Sequence, residues 1–148
     1  SLSINGSGSS AVNGFMGDKA NVELHGSGDL KFNGRYREVV AGVHGSGEVE
    51  VNGGASEKVA VEVVGSGQMT VVGSTDQFKV EQTGSGDLNA RHLAAKQANI
   101  ELMGSGTSII QAREAAEVSL RGSGDVTVYG SPSQRSVSRT GSGDVSFR

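Results

Sequence analysis

The tripeptide Gly-Ser-Gly recurs eight times in the 148-residue chain, at residues 6–8, 26–28, 45–47, 65–67, 84–86, 104–106, 122–124 and 141–143. Successive copies start 18 to 20 residues apart, so nearly every residue belongs to one repeating unit. A period of about twenty residues calls for short coils stacked on one another, each covering the exposed face of the last.

Aligned on their glycines, the copies show strand-like segments on both sides of the corner. The column four residues before each copy reads Leu2, Val22, Ala41, Val61, Val80, Ile100, Val118, Val137. Two residues before it stand Ile4, Leu24, Val43, Val63, Gln82, Leu102, Leu120, Arg139, and six before it Ala20, Val39, Val59, Phe78, Ala98, Ala116, Arg135. The segment leaving the glycines alternates in the same way, with Leu30/Phe32, Val49/Val51, Met69/Val71, Leu88/Ala90, Val126/Val128 and Val145/Phe147. A period of two with β-branched residues inward is the mark of a strand. A second corner follows, often at glycine, as in Asn13-Gly14, Asn33-Gly34, Asn52-Gly53, Val72-Gly73 and Tyr129-Gly130. The fold expected is all-β, a single-stranded parallel β-helix of about seven coils. At a strand spacing of about 4.8 Å these make a rod of roughly 35 Å. Residues 107–110, where the inward pattern slips, predict a local bulge. Gln82, Arg135 and Arg139 at inward positions predict that the cross-section opens in the fourth coil and towards the C-terminus.

Composition enters as a test of the one competing reading. Apolar residues are only 34% of the chain, aromatics 4%, and glycines number 24, a balance that often means disorder. The apolar residues keep register with the glycines throughout, which disorder does not require. The net charge of −3, with Lys and Arg scattered, excludes nucleic acid and anionic membrane as expected partners. No cysteine is present, so no disulfide frame holds the fold. The chain starts at Ser1 without Met, so residues 1–148 are read as one solenoid domain of a longer or processed chain. Nothing at either end reads as a capping helix or polar terminal repeat, so uncovered ends offer a route to homo-oligomers.

Four copies read Gly-Ser-Gly-Asp-aliphatic in full, ending in Asp29-Leu30, Asp87-Leu88, Asp125-Val126 and Asp144-Val145; elsewhere Ser9, Glu48, Gln68 or Thr107 replaces the Asp. This pattern resembles the auto-transporter adhesin head GIN domain family over essentially the whole chain. The resemblance implies a right-handed β-solenoid and a secreted, cell-surface or periplasmic setting. It implies no established activity, cofactor or functional residue.

Several constellations compete as sites. The eight serines between the glycines are too many, for three histidines, to be nucleophiles; a hydrogen-bonded serine ladder is expected instead. Asp125 and Asp144 on adjacent coils are candidate calcium ligands, the alternative being bonds to amides of their own turn. His25 and His44, with Asp29 and Glu48 across the corner, are candidate zinc-type ligands against the plainer reading of exposed turn histidines. Glu62, Glu81 and Glu101 form one outward column whose spacing could suit a glycosidase, although no long loops wall a cleft. No outward face keeps regular Thr, which argues against ice binding. Phe15, Met16, Arg35, Tyr36 and Arg37 form a candidate binding edge for a glycan or a surface protein, unless Phe15 and Met16 fold over the core. The function expected is therefore non-catalytic: an adhesin-like surface module, or else a scaffold that assembles through its ends. A polysaccharide-active enzyme is the least favoured reading.

Overall fold

A computed structural model of the chain is all strand and forms a parallel β-solenoid of about seven turns. It describes residues 2–148, apart from the side chains of Leu2, Phe15 and Met16 and the surroundings of Gly14, Gly53 and Gly54. The strands are β1 (Leu2–Asn5), β2 (Ser9–Gly26), β3 (Asp29–Gly45), β4 (Glu48–Gly65), β5 (Gln68–Gly84), β6 (Asp87–Gly104), β7 (Thr107–Arg121), β8 (Asp125–Tyr129), β9 (Gln134–Thr140) and β10 (Asp144–Phe147). Each of β2 to β7 is one coil, running from one Gly-Ser-Gly corner to the next. All pairings are parallel, and β8 and β9 both lie on β7.

Register divides each coil into three sides. In the fourth coil, residues 68–72 leave the glycine corner, residues 73–75 make a short second side, and residues 77–84 make a long third side. The short side is the part that sequence alignment left unresolved. Its inward residues, Ser56, Thr75, Ala95 and Ala112, stand in register on one another. The core is the set of inward columns on all three sides, and Leu24, Val43, Val63, Leu102 and Leu120 are essentially inaccessible. Burying one such side chain contributes about 1.5–3 kcal/mol relative to leaving it exposed.

The Gly-Ser-Gly corner depends on both glycines, for different reasons. The first has positive φ in every copy, 126° at Gly45 for example, a region that side chains with a Cβ rarely adopt. The second lies against the coil below: a Cβ on Gly106 would overlap the carbonyl oxygen of Gly86. Hydrogen bonds at this corner run through the backbone, as from the Ser46 and Gly47 amides to the Gly26 carbonyl, both 3.2 Å. The intervening serines are exposed. Among the described residues the ladder is thus one of main-chain groups and not of hydroxyls.

Two expectations change. Residues 107–110 pair without a break to residues 87–90 below and to residues 125–128 above, so no bulge occurs there. The register shifts between Ala90 and Ala95 instead, at the second corner. Ser108 takes the inward place of Leu88 and Val126, and the reason is Gln82. Only 1% of Gln82 is exposed. Its Nε2 donates to the Gly86 carbonyl oxygen and its Oε1 accepts from the Ser108 hydroxyl. A buried amide with both ends bonded needs no opening of the cross-section. Arg135 and Arg139 are exposed, since among the described residues β9 pairs only with β7. The Arg135 guanidinium lies 4.8 Å from the centre of the Phe147 ring, and Arg139 reaches Asp144 at 3.4 Å.

Candidate binding groove

The third side begins with a column that reads Glu38, Lys58, Gln77, Gln97, Ala115 and Gln134, in register from β3 to β9. Two residues on runs a second outward column, with Lys79, Asn99, Glu117 and Ser136. Between them lie the inward residues Phe78, Ala98 and Ala116, all nearly buried. Residues on either side of an inward strand residue both point outward. Here the two outward columns line one groove of about 490 Å3. The result is an open channel parallel to the solenoid axis, with the amides of Gln77, Gln97, Asn99 and Gln134 among its walls and Lys58, Ala115 and Glu117 at the levels without one.

Its charges are unevenly placed. Lys58 and Lys79 stand at one end, with Glu117 the one carboxylate among the lining residues; Arg135 is in register with the inward Ala116 and turns its guanidinium to the Phe147 ring. Lys79 also lies 3.6 Å from Glu81, but with both side chains half exposed this pair is weak.

A second depression lies on the short side, where Ala55, Ser74 and Ala94 present small side chains outward beside Arg37, Asp76 and Lys96. Two of its charges have partners, Lys96 at 3.4 Å from Asp76 and Arg37 at 4.0 Å from Asp18, and Glu57 and Arg113 also line it.

The expected binding edge is rearranged by strand alternation. Arg35 and Arg37 are exposed, whereas Tyr36 lies in the inward column and is half buried. Its ring stacks on Phe32 at 5.7 Å and fills the space left by Gly17 in the coil below. Tyr36 is thus held with the core and not beside the guanidiniums. The side chains of Phe15 and Met16 lie outside the described residues.

The other constellations are placed as follows. His25 and His44 are register partners, with rings stacked 4.8 Å apart and 11° from parallel. His25 also lies 3.5 Å from Glu23. Asp29 and Glu48 are register partners too, but no set of three or more His, Asp or Glu side chains is close enough to hold an ion among the described residues. Asp125 accepts from the Asp144 amide at 3.4 Å, and Asp87 from the Thr107 amide at 3.3 Å. Asp87 and Asp125 thus bond an amide of the next coil, where a bond within the same turn was the expectation. Glu62, Glu81 and Glu101 do stand in one column, and the depression beside Glu62 holds only about 130 Å3.

Sequence reasoning missed the groove itself. The signal was available seven residues before each Gly-Ser-Gly, where Lys58, Gln77, Gln97 and Gln134 align.

Fold and groove together define a repeat-built β-solenoid with a polar channel along its axis. Residues 1–132 match the family described as "Putative auto-transporter adhesin, head GIN domain", and the chain belongs to that family. Among curated proteins none matches the chain. Among solved structures it is similar to a "putative lipid binding protein" from Parabacteroides distasonis, with a TM-score of 0.89 and 22% identity. That match covers 99% of this chain and 60% of the other. A "putative adhesin" from Bacteroides fragilis matches with a TM-score of 0.77 and 22% identity, covering 87% of this chain and 60% of that one. A "putative adhesin" from P. distasonis matches with a TM-score of 0.89 and 20% identity, covering 99% and 63%. At these identities the likeness establishes the fold. The chain spans about three fifths of the length of each of these structures.

Proposed function

We propose that this chain is a non-catalytic binding module of the bacterial cell envelope or exterior that holds a glycan strand along the groove of the third side. The observation that carries this reading is the groove lined by two outward columns, one with Gln77, Gln97, Ala115 and Gln134 and the next with Lys79, Asn99, Glu117 and Ser136. Amide side chains each present a donor pair and an acceptor, which suits the mixed hydroxyl and ring-oxygen edges of sugars. Gln77 and Gln97 stand one strand spacing of about 4.8 Å apart and Gln134 two spacings further on, a spread that suits an extended polymer better than a compact ligand. The family's adhesin description is consistent with such a surface role. One similar structure is described as lipid binding. In this chain the inward columns are packed side chain on side chain, which favours a ligand laid outside over an enclosed acyl chain.

The glutamate column favours no catalytic reading: Glu81 already faces Lys79, and the neighbouring depression is too small to enclose a sugar chain. Arg35 and Arg37 remain the exposed part of the other edge, where a surface protein would be met.

The test is an array of bacterial and host glycans probed with the purified chain and with a Gln77→Ala/Gln97→Ala variant. Saturable binding that the variant loses is expected. Binding that the variant keeps would move the site elsewhere, with Arg35→Ala/Arg37→Ala the next pair to try. Release of reducing sugar by the intact chain would overturn the non-catalytic reading.

A further inference from the structure

We infer that Asn13 is a self-modifying site: the Gly14 amide nitrogen closes on the Asn13 side chain, and Asn33 on the next coil promotes the loss of ammonia that turns Asn13 into aspartate or isoaspartate. Four Asn-Gly steps occur in the chain, at Asn5, Asn13, Asn33 and Asn52. A following glycine leaves its nitrogen unhindered and its backbone free to turn, so this dipeptide is the one most open to such closure. All four asparagines are exposed, so water reaches each of them. The fold tells them apart.

Closure needs a nitrogen that can leave the line of the strand, because extended backbone carries it away from the preceding side chain. At Asn5 that nitrogen is tied: the Gly6 amide donates to the His25 carbonyl oxygen at 2.9 Å. After Asn33, Gly34 keeps Phe15 as its register partner in the coil below. After Asn13 the register with β3 shifts before Phe15, and Gly14 falls in that shift. Such a shift takes a residue out of the ladder and bends the strand. Asn52 precedes a similar shift before Gly54. Asn13 has a further feature: Asn33 Nδ2 donates to its Oδ1 at 2.6 Å. When a nitrogen adds to Cγ, that oxygen takes up negative charge, and a donor already aimed at it stabilises the charge as it forms.

The Gly14 nitrogen gives its proton to water or hydroxide and bonds Asn13 Cγ. The Cγ–Nδ2 bond then breaks, and Nδ2 leaves as ammonia after taking a proton from water. Water opens the resulting cyclic imide at either carbonyl, to aspartate or to isoaspartate. Amide and water become acid and ammonia, with no redox change. The aspartate product still accepts from Asn33 Nδ2, so the column survives it. The isoaspartate product lengthens the main chain at the second corner, where coil lengths already differ.

The experiment holds the purified chain, folded and in denaturant, at neutral and at mildly alkaline pH. Peptides containing each asparagine are then followed by mass, conversion adding one mass unit. In the folded chain Asn13 should convert several-fold faster than Asn5 and Asn33, and faster still at alkaline pH; in denaturant the three rates should converge. Asn33→Asp, which keeps the shape and removes the N–H, and Asn33→Ala should each slow Asn13 several-fold. Unchanged or faster conversion at Asn13 in both variants would overturn the promotion by Asn33. Folded-state conversion at Asn5 or Asn33 as fast as at Asn13 would overturn the choice of site, as would an Asn13 that converts only in denaturant.

Discussion

The two glycines of each corner make separable demands on a single residue position. Gly106 sits against the Gly86 carbonyl oxygen, so Gly106→Ala forces the stacked coils apart and should cost about 1–3 kcal/mol. Gly8 has nothing near its Cβ position, and Gly8→Ala should change stability by less than about 0.5 kcal/mol. Denaturant midpoints of the two variants check this; equal losses would mean that the close approach does not limit the corner. Gln82 and Ser108 pose the matching question for polar burial. Ser108→Ala leaves the Gln82 Oε1 without its donor and should destabilise by about 1–3 kcal/mol. Replacing both partners with the apolar residues of neighbouring coils, as Gln82→Leu with Ser108→Val, should return stability to the wild-type level or above it. A double-mutant cycle reads the difference, and additive losses would show that the two side chains act independently.

At the scale of one coil, the three sides differ in how strictly they hold register. The third side pairs without a break from residues 77–84 to residues 97–104, and the glycine corner is laddered from coil to coil. The second corner is where lengths of 18 to 20 residues are reconciled, as the shift between Ala90 and Ala95 shows. An extra glycine between Arg91 and His92, both exposed, should therefore lower Tm by only ~2–4 °C, the equivalent of about 1 kcal/mol in a chain of this size. The same insertion between Ser105 and Gly106 should lower it several-fold more, because the Gly106 amide bonds the Gly84 carbonyl and the Gly106 carbonyl accepts from the Asp125 amide. Equal shifts in thermal unfolding would show that the corners are equivalent.

At the scale of the whole rod, the last coil changes the outlook for end-to-end assembly. Arg135 and Arg139 stand in columns that are apolar in every complete coil except at Gln82, and Val137 between them is 44% exposed. A further coil stacked on β9 in register would bury two guanidiniums, at a cost that only matched partners would offset. Arg135→Val with Arg139→Leu removes that barrier. In sedimentation runs across a range of concentrations, the variant should self-associate more strongly than the unaltered chain. No difference between them would mean that the arginines do not guard this end.

The sequence by itself determined the parallel solenoid, its coil length, the glycine corners and most of the inward columns, because stacking repeats one local environment and so repeats the residue type that fits it. Alternation along a strand carries that information without help from distant parts of the chain. Three things were decided only by tertiary structure. The direction of Tyr36 follows from which side of the coil it occupies, and its ring fills a space opened by Gly17 one coil away. The role of Ser108 depends on Gln82, 26 residues earlier, and the two meet only because coils stack. The groove exists because stacking sets two outward columns from successive coils side by side, and that alignment belongs to the packed coils and not to any one segment of the chain.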